Sequence, residues 1–136
     1  MKVQTQAVGL DTSVVLRLLV GEPKPQAAKA VRCLDECFEQ GITPLISDLV
    51  VSEVYFALQY HYEVPKKEAI AALAALVQSG EVPCTGAAAT VLSHKDLHKA
   101  KPGFIDRLIH AEYQNEGAAL LSFEKSSARL PATHVL

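Results

Sequence analysis

The sequence predicts an α/β chain, a three-layer α/β/α arrangement around a central, mainly parallel sheet. Three observations lead there. Short apolar runs alternate with longer amphipathic stretches along all 136 residues. Successive runs are separated by one or two helical stretches, which is the connection that parallel strands require. Hydrophobic residues make up 49% and charged residues 21%, a composition that folds around a core and is unlike that of disordered chains. The length suits one ordinary domain spanning residues 1–136.

Val8-Gly9-Leu10 reads as a first strand ending in an acid, Asp11. Thr12 to Val20 reads as a helix stopped by Gly21 and Pro23, and Gln26 to Gln40 as a second helix closed by Gly41. Pro44-Leu45-Ile46-Ser47 is a strand, and Ser47 or Asp48 caps a helix that runs through Tyr62. Pro65 opens the next helix, where its fixed φ is acceptable. There Ile70, Leu73, Ala74 and Val77 recur with helical spacing and form one buried face. Glu81-Val82-Pro83-Cys84 is a short strand whose proline argues for an edge or strand-end position. Ala87 to Lys99 is expected as a single helix. After Lys101-Pro102-Gly103 the chain is helical from Ile105 to Glu116, with Ile105, Leu108 and Ile109 inward. Gly117 turns into a buried strand, Ala118-Ala119-Leu120-Leu121-Ser122. A helical turn follows from Lys125, and His134-Val135-Leu136 is a last strand.

Several function classes are excluded early. Lys and Arg total 13 against 15 Asp and Glu, a net charge of −2, so there is no strongly basic nucleic-acid arm and no acidic tail. A local basic patch can still meet nucleic acid. No stretch approaches the roughly 18 apolar residues of a membrane span, and the polar opening Met1-Lys2-Val3-Gln4-Thr5-Gln6 does not read as a secretory signal. Cys33, Cys37 and Cys84 are an odd number for a disulfide framework and read as inert thiols in a reducing cytoplasm. His94 and His98 have zinc-like spacing but no third ligand, and Lys95, Lys99 and Lys101 around them make an exposed basic helix the better reading. No Gly-x-Ser-x-Gly elbow, phosphate loop or dinucleotide fingerprint is present.

Parallel α/β sheets place their sites at the carboxyl ends of the strands, which sorts the acids. Asp11 ends the first strand. Glu53 lies in the first turns of the helix after the second strand. Asp106 begins a helix running back under the Leu120-Leu121 strand, and Glu124 follows that strand. All four are thus expected at one edge. Each has a plain structural reading, as a helix cap, a dipole partner or a turn initiator, and taken singly that reading is favoured. Gathered together, the carboxylates raise one another's pKa and oppose folding unless a cation compensates. Oxygen-only ligands favour Mg²⁺ or Mn²⁺ over zinc, and such ions suit phosphodiester hydrolysis.

Four segments then resemble a known family. Val8-Gly9-Leu10-Asp11-Thr12-Ser13-Val14-Val15-Leu16-Arg17-Leu18-Leu19 resembles the opening of PIN-domain nucleases, especially the VapC toxins of toxin–antitoxin pairs. Ile46 to Leu58, Phe104 to Ile109, and Ala119 to Lys125 resemble the second, third and fourth blocks, in the family's order. The resemblance implies a PIN-like fold and a Mg²⁺- or Mn²⁺-dependent endoribonuclease. Asp11, Glu53 and Asp106 match the core metal-binding acids, and Glu124 matches the fourth, usually Asp. Ser13 matches a polar residue, often Asn, that supports the site; Ser122 matches a Ser or Thr near the fourth acid. The resemblance further implies a homodimer, an RNA substrate and a cognate antitoxin protein that covers the site. Two positions depart from the pattern: Glu124 is one methylene longer than Asp, and Ser126 stands where the family often carries another acid.

Around these acids, Lys95 to Arg107 forms a mildly basic patch, with weaker support for Arg17 and Lys24 as substrate contacts. Tyr55, Phe56, Tyr60 and Tyr62 cluster on one helix and are read as packing or partner surface. A phosphatase of the haloacid-dehalogenase type would need a second Asp two positions after the first, where Ser13 stands. The alternative from another class is a non-catalytic PIN scaffold that binds RNA or a protein partner.

Overall fold

Apolar residues at Ala7–Gly9 (β1) and Thr43–Leu45 (β2) pair in parallel, from Ala7 against Thr43 to Gly9 against Leu45. These and all positions below come from a computed structural model that describes residues 6–136; most of the polar opening segment, Met1 to Thr5, lies outside the described residues. Two helices make the crossover, Thr12–Val20 (α1) and Lys24–Glu39 (α2). Gly21 stops α1 as the sequence predicts: it takes φ +77° and its N–H bonds to the Arg17 carbonyl, a left-handed cap that costs glycine least.

The predicted strand at Glu81–Cys84 is reduced to one parallel bridge between Ile46 and Cys84. Pro83 has no N–H to donate, and its carbonyl accepts from Ile46 instead, at 3.1 Å. Asp48–Tyr60 (α3) is capped by Ser47, whose hydroxyl accepts from the Val50 N–H at 3.2 Å. Lys66–Gln78 (α4) follows Pro65 and buries Ile70, Leu73 and Val77, with Ala74 half-buried.

The helix expected over residues 87–99 is broken. Ala88–Leu92 (α5) ends where the Ser93 hydroxyl bonds back to the Thr90 carbonyl, and Asp96 takes φ +54° before a 3₁₀ turn over Leu97–Lys99. Hydroxyl back-bonding competes with helix propagation, and the break means His94 and His98 do not share a helix face. Phe104–Asn115 (α6) buries Phe104 and Leu108, whereas Ile109, expected inward, is exposed.

Leu120–Ser122 (β3) and Thr133–Val135 (β4) pair in parallel across a 3₁₀ turn at Lys125–Arg129. β3 is not the buried strand its apolar run predicts, since Leu121 is 65% exposed. Among the described residues β1–β2 and β3–β4 are separate ladders. All strand pairing is parallel and helices make the main crossovers, so the chain has the α/β class that the sequence predicts.

The core joins Val15 and Leu16 of α1, Ile46 just after β2, Val51, Val54 and Leu58 of α3, Leu73 of α4 and Leu108 of α6. Tyr55 meets Phe104 edge-on with centroids 5.0 Å apart, a favoured aromatic geometry. Among the described residues, none beyond Ala111 belongs to this cluster. No helix of the described residues is long and apolar enough to cross a membrane.

Candidate active site

Asp11 is placed by the end of β1 and the start of α1. It occupies the N-cap position, yet its side chain bonds no helix N–H. Its Oδ2 accepts from the Ser13 hydroxyl at 3.2 Å. One residue on, the Thr12 hydroxyl donates to Glu53 Oε1 at 3.3 Å. The packing of α1 on α3 therefore sets Asp11 and Glu53 side by side in the fold, each exposed and each held by a neighbouring hydroxyl.

A cleft of about 530 Å³ lies between α1 and α2, lined by Ser13, Arg17, Gln26, Lys29 and Cys33 among others, and Ser13 links it to Asp11. Arg17 Nε donates to Gln26 Oε1 at 2.6 Å, which orients the guanidinium and leaves its terminal nitrogens as further donors. The cleft thus carries two cationic side chains, Arg17 and Lys29, on largely apolar walls.

Asp106 and Glu124 stand elsewhere. Asp106 is exposed in the first turn of α6 and lines a different cleft with Tyr55, Gln59, Tyr60 and Lys66. Tyr60 is seven residues beyond Glu53 on α3, about 10 Å along the helix axis. Glu124 caps the 3₁₀ turn, its Oε1 accepting from the Ser126 hydroxyl at 2.9 Å and the Ser126 N–H at 3.3 Å. Those bonds, the hydroxyl's first, and then the charge of Lys101 hold the Glu124 carboxyl below its ordinary range. The Ser122 hydroxyl accepts from the Glu124 N–H at 2.9 Å, so it braces the Glu124 backbone.

Among the described residues no three His, Cys, Asp or Glu side chains are grouped to hold a metal ion. Asp11 and Glu53 with their hydroxyls still form an all-oxygen set. That set fits one hard divalent cation that keeps most of its water, since Mg²⁺ commonly takes only one or two carboxylates. The cysteines take no part: burial pushes the Cys37 thiol up, as it does the Cys84 thiol, which leaves both protonated and inert.

Asp48 carries a role that the sequence does not advertise. It is buried, and its two carboxylate oxygens accept from the Ala87 and Ala88 N–H groups, each at 2.9 Å. Its carboxylate fills the space a Cβ on residue 86 would need, which requires Gly86 there. Glu112 of α6 lies beside the same carboxylate, and hydrogen bonding to Asp48, then desolvation, pushes the Glu112 carboxyl up. The available signal was Gly86, a glycine without a turn to explain it.

A comparison with curated proteins finds no match. The PIN domain family model matches residues 8–132, a span that includes all four segments singled out above. PIN domains are typically nuclease domains and generally use divalent metal ions. With parallel pairing, an acid at the end of the first strand and a second acid on the helix beside it, the chain belongs to the PIN-domain family.

Proposed function

We propose that the chain is a metal-dependent endoribonuclease and the toxin of a toxin–antitoxin pair, working in the cytoplasm. The observation that carries the reading is the pair of hydroxyl bonds, Ser13 to Asp11 and Thr12 to Glu53, with Arg17 and Lys29 in the cleft that Ser13 lines. Asp11 and Glu53 hold the cation, Mg²⁺ or Mn²⁺, with Asp106 and Glu124 as the further acids of the full site. When bound, the cation supplies positive charge that polarises a phosphodiester and favours attack by water. Ser13 orients Asp11, and Thr12 steadies Glu53. Arg17 and Lys29 bind backbone phosphates of RNA and hold the strand across the acids. A cognate antitoxin would act by covering this groove.

A second reading, a non-catalytic scaffold, is favoured by one observation: Asp106 and Glu124 do not join Asp11 and Glu53 in the single chain. Cleavage of total RNA separates the two. The wild type should cut with Mg²⁺ or Mn²⁺ and stop with EDTA, and Asp11→Asn and Glu53→Gln should lose at least about 100-fold of the rate. Cutting that ignores EDTA and both substitutions would defeat the nuclease reading of these residues. No cutting in either metal, with RNA still bound, would favour the scaffold.

A further inference from the structure

The four aromatic residues grouped on and just beyond α3 take different places in the fold. Tyr62 is half-buried against the core. Tyr55 is buried, edge-on to Phe104 at 5.0 Å and to Phe56 at 5.3 Å. Phe56 and Tyr60 stay at the surface, 44% and 81% exposed, with their rings 20° from parallel and centroids 6.3 Å apart. Tyr60 therefore adds little to the core, and a bare stacked pair of this kind marks a contact surface. Because Phe104 props Tyr55 and Tyr55 props Phe56, the rings are set before anything binds, which lowers the ordering cost of binding. Both rings line a cleft of about 250 Å³ between α3 and the start of α6, together with Gln59, Lys66 and Asp106. That is below the roughly 300–1,000 Å³ of clefts that take drug-sized ligands, and it suits a single planar ring system. Lys66, exposed at the start of α4, brings a cation to the same cleft.

We propose that Phe56 and Tyr60 form a stacking platform for one unpaired base of an RNA strand, with Lys66 holding the adjoining phosphate. The platform rests on the reading of the chain as a ribonuclease and adds a place where the strand is gripped. Aromatic faces beside a cation complement a nucleotide, whose base offers a π-face and whose phosphate offers negative charge. An apolar protein surface would cover the rings but give Lys66 no anion. A duplex cannot supply the ligand either, since its bases are already stacked on one another. Phe56 lies three residues beyond Glu53 on α3, and Tyr60 about 10 Å beyond Glu53 along the helix axis. The stacked base therefore belongs to a nucleotide that flanks the bond being cut. Every base has a π-face, so the platform selects an unstacked base and not its identity.

The test titrates the full chain into a short oligouridylate carrying one 2-aminopurine, in EDTA so that no strand is cut. Wild type should quench the 2-aminopurine fluorescence as that base stacks on the rings. Tyr60→Ala should lose most of the quench and bind about 10-fold more weakly, whereas Tyr60→Phe should keep both. Tyr60→Leu keeps apolar bulk without a π-face, so it should behave like Tyr60→Ala. Lys66→Ala should still quench at saturation but lower the slope of log affinity against log salt by about 0.7. No binding, binding that leaves the 2-aminopurine bright, or Tyr60→Leu binding like wild type overturns the platform. A Tyr60→Ala chain that self-associates differently yet binds the strand unchanged also overturns it and assigns the rings to a protein contact. If wild type quenches the labelled strand but cuts no RNA with Mg²⁺ or Mn²⁺, the nuclease reading fails and the platform stands. If it cuts RNA while the labelled strand stays bright and Tyr60→Ala leaves KM unchanged, the platform fails and the nuclease reading stands.

Discussion

Asp48 satisfies two N–H groups at the start of α5 that have no other acceptor within the helix. Asp48→Ala should therefore destabilise the chain by about 2–4 kcal/mol, the cost of leaving two buried donors unpaired. Gly86→Ala should also destabilise it, since the added methyl displaces the same carboxylate. Urea unfolding midpoints check both, with Asp48→Ala and Gly86→Ala combined costing less than the sum because they damage one contact. Asp11→Asn removes charge from an exposed carboxylate and should leave the unfolding midpoint nearly unchanged while activity is lost. Arg17→Ala should weaken RNA binding for all sequences alike and reduce the slope of log affinity against log salt by about one, as measured by titration across salt concentrations.

At the scale of elements, Glu112 of α6 stands beside the Asp48 carboxylate of α3. The Glu112 carboxyl is raised above its unfolded value, chiefly by its hydrogen bond to Asp48. Its contribution is fully present below the unfolded glutamate pKa of about 4.3 and is lost as pH rises through the raised folded value. Glu112→Gln keeps a donor at every pH. Hydrogen exchange in α6 should speed up with rising pH in wild type, beyond the intrinsic rate, and this extra dependence should vanish in the variant. The cap of α3 is a simpler case: Ser47→Ala should cost about 1 kcal/mol, read from thermal unfolding, because it removes the acceptor for the Val50 N–H.

For the whole molecule, metal is the decisive variable. A cation held by Asp11 and Glu53 binds the folded chain alone, so it should raise the unfolding temperature by mass action. Calorimetry with Mg²⁺ or Mn²⁺ should show that rise in wild type, a loss of it with EDTA, and little of it in Asp11→Asn.

Much of the fold was legible because it is written locally. The α1 bounds, its Gly21 stop, the Ser47 cap and the buried Ile70–Leu73–Val77 face depend on residues within about one turn of each other. The nearness of Glu53 to Thr12, the residue after Asp11, was legible too, since the end of a parallel strand and the helix beside it share an edge. The break at Asp96 was not, because Ser93 and Asp96 are weak helix residues whose competing bonds local pattern does not rank. Apolar periodicity marked Leu120-Leu121 as a strand to be covered but carries no record of which surface covers it. Asp48 spans 39 and 40 residues to reach Ala87 and Ala88, and Asp106 lines a cleft with Tyr60 and Lys66. By itself the sequence determined most of the element types and the parallel class. Only the tertiary structure decided which acids meet within one chain, because that depends on long-range packing of α6 and β3 that no neighbouring residue specifies.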